Sequence, residues 1–382
     1  MRLNLISLVS LGMTAALGCA ANGNDAPGTN DSTALGGDDG GLTQARKRYD
    51  GGTPPNGDGG YRPGDDAGAP PPPDSGARST PDSGSVGVGG TSPSIGGCAV
   101  FPANDPWNTR IDDPVAYPLD PNAAAYAAEM DPGQTVHPDW GDWTTDHYGI
   151  PWEVVPSTQA EVPITFTQGS DQSDLGPYPL PASARIEGGA SDLGDDQHVL
   201  VLQSGTCELY ELYQGAFLNP GWSCTSAAKF NLGSNTLRPD GWTSTDAAGL
   251  PILPGLVKVS EVLAGSIQHA LRFTMAHTQQ GYIHPATHAA GSSNKSYPPM
   301  GLRVRLKASF DTSSFTGPTL VVMTAMKQYG LLLADNGSNW YVTGDSDDAW
   351  IPLMDGLVSG LGTIQGSDFE AVYTGPISTA GL

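Results

Sequence analysis

The chain has 382 residues and carries 40 acidic against 17 basic side chains, a formal net charge of −23 at pH 7. Because proteins bind nucleic acids largely through cations that neutralise phosphates, this balance excludes nucleic acid as an expected partner. The large net negative charge suits solubility outside the cell, and we expect the protein to be a monomer.

The first residues, MRLNLISLVSLGMTAALGCA, combine one cation at Arg2 with an apolar run that ends shortly before Cys19. The run is too short for a spanning helix and is typical of a targeting segment. Residues 16–19 resemble the lipobox of bacterial lipoproteins. The resemblance implies a signal peptide over residues 1–18, acylation of Cys19, and anchoring of the exported protein in the outer membrane or at the cell surface. A plain secretory signal is the alternative.

A long segment of low complexity follows. Residues 20–97 contain 20 Gly and 10 Pro among 78 residues, and Asp recurs along them. Such a composition buries too little apolar surface to compensate the entropy lost on ordering. We therefore predict a disordered tether over residues 19–97, and a globular domain over residues 98–382.

Short β-branched or alternating runs, bounded by turn residues, recur along the globular domain. They predict strands at residues 151–155, 162–167, 198–202, 209–213, 267–274, 281–284, 302–310, 331–335 and 340–343. Helical periodicity is confined to residues 122–130 and 319–329. The expected fold class is mainly β, a sandwich or jelly-roll-like body with one or two short helices.

The cysteines of the globular domain predict a disulfide. Cys207 and Cys224 are 17 residues apart in a chain expected to be exported, and we expect them to be bridged. Cys98 is then either free or the partner of one of the other two. No CxxC pair occurs, so the sequence does not indicate a zinc–thiolate site.

The first chemically informative stretch is HPDWGDWTTDH, residues 137–147. Aromatic rings next to carboxylates are typical of sugar recognition, and Trp140 and Trp143 are candidate stacking platforms. A structural calcium ion held by the loop carboxylates is an alternative. Trp222 and Trp242 lie in two similar stretches, GWSCTSAA and GWTSTDAA, and are further candidates for stacking.

The segment Asp195-Asp196-Gln197-His198 opens a predicted strand. A histidine beside carboxylates has its protonated form favoured, which suits a general acid or base. His198 and Asp196 are therefore candidate catalytic residues, and a capping turn is the alternative.

Four of the seven histidines lie within QHALRFTMAHTQQGYIHPATH, residues 268–288. His269 alternates with Leu271 and Phe273 and is a candidate base or a structural residue. His284 and His288 are four residues apart, as in a zinc-binding helix, but Pro285 occupies the position where the catalytic glutamate of such a motif would stand. They give a weak prediction of a metal site.

The stretch GLRVRLKASFD, residues 301–311, places Arg303, Arg305 and Lys307 on one face of a predicted strand. This row is a candidate anion-binding surface, with a solvated sheet face as the alternative. We expect His269 to lie close to this strand and to at least one of His284 and His288, in one cleft.

Further along, Asp335 and Asn336 precede Gly337 between two apolar runs. Asn-Gly is typical of a hairpin turn, so both side chains are either turn chemistry or candidates for acid–base work and substrate binding.

The layout of a lipid-anchored export signal, a flexible arm and an acidic β-rich domain resembles that of surface carbohydrate-active proteins. The resemblance implies cleavage of a polysaccharide, with the membrane as a second partner through the lipid and with no cofactor required. The alternatives are a non-catalytic glycan-binding or adhesion lipoprotein and a metal-dependent hydrolase.

Two mechanisms follow, according to the substrate. On a uronate-containing glycan, a lyase would use the basic row to neutralise the carboxylate, His269 or His198 to take the proton, and Tyr282 to assist the leaving oxygen. On a neutral glycan, a carboxylate pair such as Asp196 and Asp335 would act as acid and base of a hydrolase.

Overall fold

The structure is a computed structural model that describes residues 92–189 and 196–382. The predicted signal peptide, the acylation of Cys19, residues 19–91 of the predicted tether, and Asp195 lie outside the described residues. Among the helices of the described part, none combines the length and the apolar character that a membrane crossing needs.

Strands dominate the described residues, and the prediction of a mainly β body is confirmed. The strands are β1 (Ser94–Ile95), β2 (Cys98–Ala99), β3 (His137–Gly141), β4 (Trp152–Val155), β5 (Ile164–Phe166), β6 (Val199–Gln203), β7 (Glu208–Tyr213), β8 (Ala216–Leu218), β9 (Gly221–Cys224), β10 (Ser226–Asn231), β11 (Leu271–Met275), β12 (Arg303–Leu306), β13 (Leu331–Asn336), β14 (Tyr341–Ser346) and β15 (Phe369–Val372). The first of them, β1, lies within the last residues assigned to the tether. The stretch 281–284 forms only two isolated bridges, from Tyr282 to Met300 and to Ser378.

Four short helices accompany the strands in the described part: α1 (Ala123–Glu129), α2 (Val259–Ala264), α3 (Gly317–Gln328) and α4 (Met354–Leu361). The two predicted helices correspond to α1 and α3, while α2 and α4 exceed the expected number. In α3, Val322, Met323 and Met326 recur at helical spacing and are fully buried in the core. The helix ends before Gly330, whose φ of 69° favours glycine.

Two sheets form most of the body. The larger has the order β15-β12-β13-β11-β14-β3, and the smaller has the order β10-β7-β6-β4. Both mix directions, because β11 runs parallel to β13 but antiparallel to β14, and β6 runs parallel to β4 but antiparallel to β7. A three-stranded sheet, β5-β9-β8, and the β1-β2 hairpin complete the strand pairings.

The six-stranded sheet has one apolar face and one face with polar side chains at its centre. On β11, Leu271, Phe273 and Met275 belong to the hydrophobic core. The intervening residues, Arg272 and Thr274, point to the opposite face because side chains alternate along a strand. This alternation brings a charged side chain to the middle of the sheet and positions the candidate site.

The disulfide differs from the prediction. Cys98 pairs with Cys207, with their Cα atoms 5.4 Å apart, whereas Cys224 is a free, buried cysteine on β9. The predicted Cys207–Cys224 bridge is wrong because Cys224 packs into a separate core cluster with residues such as Leu212 and Trp222. The observed bond spans 109 residues and ties the β1-β2 hairpin to the turn before β7.

Candidate functional site

The candidate site is built on the polar face of the six-stranded sheet. Asp139 on β3 pairs in register with Thr343 on β14, and the Nη1 atom of Arg272 donates to the Thr343 hydroxyl at 3.2 Å. A shift in the β11–β13 register places Asp335 opposite Thr274. The sheet therefore brings two carboxylates to the two sides of one arginine.

Arg272 lies between carboxylates from different parts of the chain. Its Nη2 atom is 3.4 Å from Oδ2 of Asp246 and 3.8 Å from Oδ2 of Asp335. The side chains of Arg272 and Asp246 are buried, whereas that of Asp335 keeps 23% of its surface exposed. Of the two carboxylates that Arg272 contacts, Asp335 is therefore the one that a substrate can approach.

The two aspartates beside Arg272 repel each other. Burial and repulsion from Asp246 raise the pKa of Asp335 to about 7, although the nearby Arg272 opposes the shift. Burial also raises the pKa of Asp246, while Arg272 and the backbone amides of Leu250 and Ala248 favour its ionised form. Near neutral pH, the proton of this pair therefore belongs on Asp335.

His198 stands just before β6 and is a cation. Its Nδ1 atom is 2.6 Å from Oε2 of Glu187, and its Nε2 atom is 2.9 Å from the carbonyl oxygen of Thr245. Because both partners are acceptors, both ring nitrogens must donate. Burial alone would lower the pKa of His198, but the Glu187 carboxylate raises it to about 9. The ring has no free lone pair, so this geometry does not fit the predicted role of His198 as a base.

Asp196 and Tyr213 extend the site on the side of the four-stranded sheet. Asp196 is exposed, and its backbone oxygen accepts from Gln214 at 2.8 Å. Burial and the charges of Asp196 and Asp335 raise the pKa of Tyr213 to about 12, and the Tyr213 hydroxyl donates to Asp196. Tyr213 therefore lies within electrostatic reach of both aspartates.

Asp139 is half-buried at the other side of Arg272. Burial raises its pKa to about 6, while a hydrogen bond from Tyr148 favours the ionised form. The Tyr148 hydroxyl is also 3.0 Å from Nε2 of His137, whose ring stacks on Tyr341 at 4.2 Å. Tyr148 therefore connects the Asp139 carboxyl group to the stacked pair of His137 and Tyr341.

Five carboxylates thus converge, and their charges act on one another. We refer to them as the acidic cluster: Asp139, Glu187, Asp196, Asp246 and Asp335. Arg272 and His198 lie among them as cations. Because the pKa of Asp335 is raised to about 7, the acidic cluster contains a carboxyl group that can give or take a proton near neutral pH.

An aromatic side chain lies beside the Glu187 segment. The Asp348 carboxylate accepts from the backbone amides of Trp143 and Thr144, at 3.0 and 2.8 Å. The guanidinium group of Arg185 lies 4.8 Å over the Trp143 ring, and His147 meets the ring edge-on at 4.7 Å. Trp143 is therefore held in place and only half-buried, as a sugar-stacking residue requires.

Among the predicted site residues, the structure brings together Asp196, His198 and Asp335, and it places Trp143 against Arg185, two residues before Glu187. Asn336 adjoins Asp335, but its side chain is tied to the rest of the chain: its amide donates to the Ala290 carbonyl, and its oxygen accepts from Thr278. The Asn336 side chain therefore links the end of β13 to residues 278 and 290.

His269 lies elsewhere and is only 1% exposed. Its Nδ1 atom contacts the Ala270 carbonyl, and its Nε2 atom contacts both Lys258 and Glu261, at 3.2 and 3.0 Å. Tyr282 is also buried, and its hydroxyl donates to the Ala380 carbonyl. Neither side chain is exposed to a substrate, as the predicted roles of His269 as a base and of Tyr282 at the leaving oxygen would require.

The basic row is an internal feature of the fold. Arg303 is 2% exposed and donates to the carbonyl oxygens of Tyr329, Pro106 and Thr109. Arg305 is also buried and pairs with Glu370 at 2.7 Å. The predicted anion-binding surface is wrong for these two arginines, because residues 105–117 cover them with backbone carbonyls.

Lys307, the third cation of the row, donates to the Ser367 carbonyl at 2.7 Å. His284 pairs with Asp240 and His288 with the Ala247 carbonyl, both at 2.8 Å. None of these contacts joins the histidines to His269 or to the basic row. The expected shared cleft is therefore not seen in the contacts of these residues.

Over the part of the chain that the structure describes, no group of three or more His, Cys, Asp or Glu side chains has a geometry that could hold a metal ion. His284 and His288 do not form such a group. The described carboxylates of the acidic cluster do not form one either.

Two of the four predicted tryptophan platforms are part of the core. Trp140 and Trp222 are at most 1% exposed, so neither ring can stack on a sugar. Trp242 is half-buried and has the Arg238 guanidinium 5.6 Å from its ring centre. Trp143, by contrast, is half-buried, and its ring lies against Arg185, two residues before Glu187 of the acidic cluster.

Sequence reasoning missed Asp139, Glu187, Asp246 and Arg272. Arg272 is the one charged residue inside the apolar alternation of residues 271–275, a position that indicates a buried, paired arginine. Asp139 lies in the stretch that was assigned to sugar binding through its tryptophans. Nothing in the sequence indicates that Glu187 would meet His198.

Comparisons of the chain with protein-family models, with curated proteins and with solved structures found no match. The geometry of the acidic cluster is therefore the basis of the functional proposal.

The His198–Glu187 pair makes a testable contribution to stability. Because the folded pKa of about 9 exceeds the unfolded value of 6.5, the contribution is complete below pH 6.5 and is lost as the pH rises to 9. The aspartates with raised pKa values titrate at about 7 or below, so they do not share the upper part of this range. We expect the free energy of unfolding, measured with urea, to fall by about 1 kcal/mol between pH 7.5 and 8.5, below the pH at which the thiol of Cys224 ionises in the unfolded chain.

The control for this measurement is a second histidine. His198→Gln should lose most of the decline, whereas His277→Gln, at an exposed position, should keep it. An unchanged decline in His198→Gln would show that His198 does not carry a proton at pH 7.5.

Proposed function

We propose that this chain is a carbohydrate-active enzyme that hydrolyses the glycosidic bonds of a polysaccharide by acid–base catalysis. The feature that supports this most is Asp335, a partly exposed carboxyl group whose pKa is raised to about 7 by burial and by Asp246, within electrostatic reach of the exposed Asp196. Glycoside hydrolysis uses such a pair, with one carboxyl group as acid and one as base.

In the proposed reaction, Asp335 gives its proton to the glycosidic oxygen as the bond from that oxygen to the anomeric carbon breaks. A water molecule attacks the anomeric carbon, and Asp196 takes the proton that this water loses. One water is consumed, and both carboxyl groups return to their initial state by exchange with solvent. Tyr213 donates to Asp196 and orients it.

The charge of the site favours a glycan without acidic groups. The acidic cluster would repel a uronate, and the arginines expected to neutralise one, Arg303 and Arg305, are buried against backbone carbonyls or Glu370. Trp143, only half-buried beside the Glu187 segment, suits the apolar face of a sugar ring. We therefore favour the hydrolase over the lyase.

For location we propose an exported protein anchored by lipid at Cys19. The Cys98–Cys207 disulfide supports this part of the proposal, because disulfides persist in oxidising compartments outside the cytosol. The partners in this proposal are the polysaccharide and, through the lipid, the membrane surface.

The test is a degradation screen with the full chain on neutral and uronate-containing polysaccharides. We expect new reducing ends from a neutral glycan, without the ultraviolet absorbance of unsaturated uronate ends. That absorbance would identify a lyase and overturn the hydrolase. Tight binding with no product on any glycan would overturn catalysis and favour the binding or adhesion protein, for which the half-buried ring of Trp143 is the supporting feature.

A further inference from the structure

Two carboxylates share one nitrogen of Arg272. The Nη2 atom is 3.4 Å from Oδ2 of Asp246 and 3.8 Å from Oδ2 of Asp335. The shorter distance is close to a hydrogen bond, and the longer one exceeds it. The guanidinium group is thus placed between the two carboxylates and is slightly nearer to the buried one.

Asp246 is fixed, whereas Asp335 is held less firmly. Oδ1 of Asp246 accepts from the backbone amides of Ala248 and Leu250, at 3.0 and 3.1 Å. Oδ1 of Asp335 accepts from the amide of Asn336 alone, at 2.8 Å, among the hydrogen bonds described for it. A carboxylate with several amide donors keeps its negative charge more easily than one with a single donor.

The guanidinium group of Arg272 is held by a hydrogen bond at Nη1 and has none at Nε. Its Nη1 atom donates to Thr343, which fixes the guanidinium plane. Its Nε atom is buried and has no hydrogen-bond partner. A small approach of Nη2 towards Asp335 would therefore break no hydrogen bond at Nε.

We propose that Arg272 is a positioning residue that takes up the negative charge of Asp335 each time this carboxyl group gives its proton away. The inference rests on the proposed function, in which Asp335 is the acid. At rest, Arg272 neutralises Asp246 and leaves Asp335 protonated. After proton transfer, the Asp335 carboxylate attracts Nη2 across the gap, and the charge-assisted contact stabilises the product of the transfer.

If the role of Arg272 were purely structural, its charge would stabilise the Asp246 carboxylate alone. The two roles differ in what happens at Asp335, because a nearby cation favours the ionised form of a carboxyl group and its removal raises the pKa. The titration of Asp335 is therefore the decisive measurement, and it does not require a known substrate.

The experiment is a carbon-13 NMR titration of the full chain labelled at the aspartate carboxyl carbons, with the Asp335 resonance assigned by its loss in Asp335→Asn. In Arg272→Met we expect the Asp335 midpoint to rise by about one pH unit or more. Asp246→Asn removes the repulsion between the two aspartates and allows Arg272 to pair with Asp335 alone. In this variant we expect the Asp335 midpoint to fall. Thr324→Val, on the exposed face of α3, is the control and should leave it unchanged.

If Arg272→Met does not fold, Arg272→Gln, which removes the charge but keeps a polar side chain that can reach Thr343, is the second variant, and the Asp335 midpoint should rise in it too. An Asp335 midpoint that does not rise in a folded Arg272 variant would overturn the inference. Should a glycan be cleaved, Arg272→Met should lower kcat and leave KM nearly unchanged. Absence of cleavage by the wild-type chain would overturn the proposed function, but the titration would still decide whether Arg272 acts on Asp335.

Discussion

Asp335→Asn is expected to lower the rate of glycan cleavage about 10³-fold, because the amide cannot donate the proton that the leaving oxygen needs. The pH dependence should agree with this, since the pKa of about 7 predicts that activity falls as the pH rises above neutrality. Initial rates on a cleaved neutral glycan, measured from about pH 5 to 9, provide the check.

The same variant should be at least as stable as the wild type. The raised pKa of Asp335 means that its carboxylate destabilises the fold at high pH, and the neutral amide removes that repulsion. Loss of activity with unchanged or higher stability would separate catalysis from folding. The matched control is Asp355→Asn, an exposed position on α4, which should retain full activity. Full activity in Asp335→Asn would remove the proposed acid.

Arg303→Met is expected to destabilise the domain by about 3 kcal/mol or more. The substitution leaves the carbonyl oxygens of Tyr329, Pro106 and Thr109 without their donor inside the protein. An orphaned buried carbonyl costs about 1–3 kcal/mol, and the relief from burying one charge fewer offsets part of the sum. Urea unfolding followed by circular dichroism measures the difference.

Lys307→Met offers a control on the same predicted row. Its amino group donates to one carbonyl and lies near the protein surface, so we expect a change below about 1 kcal/mol. Equal effects at positions 303 and 307 would show that the row is solvated and not internal. A large difference would establish that the arginine serves the fold.

The pattern of the sequence was sufficient to predict the mainly β body and helix α3. The alternation of apolar and polar residues and the positions of turn residues are local signals. Strands such as β6, β7 and β13 can therefore be predicted from short stretches of the sequence. The same local reasoning drew attention to Asp196, His198 and Asp335, because each stands at the end of a predicted strand. It could not assign their protonation, which depends on neighbours distant in sequence.

Only the tertiary structure decided which residues meet. Glu187 reaches His198, Asp139 and Asp335 approach Arg272 from different strands, and Cys98 pairs with Cys207 across 109 residues. It also decided that Arg303 faces backbone carbonyls, although its alternation with apolar residues is the same for a solvated strand face. Sequence patterns fix which side of a strand a residue occupies, but sheet order and chain packing determine what covers that side, and burial with its neighbours then sets its charge.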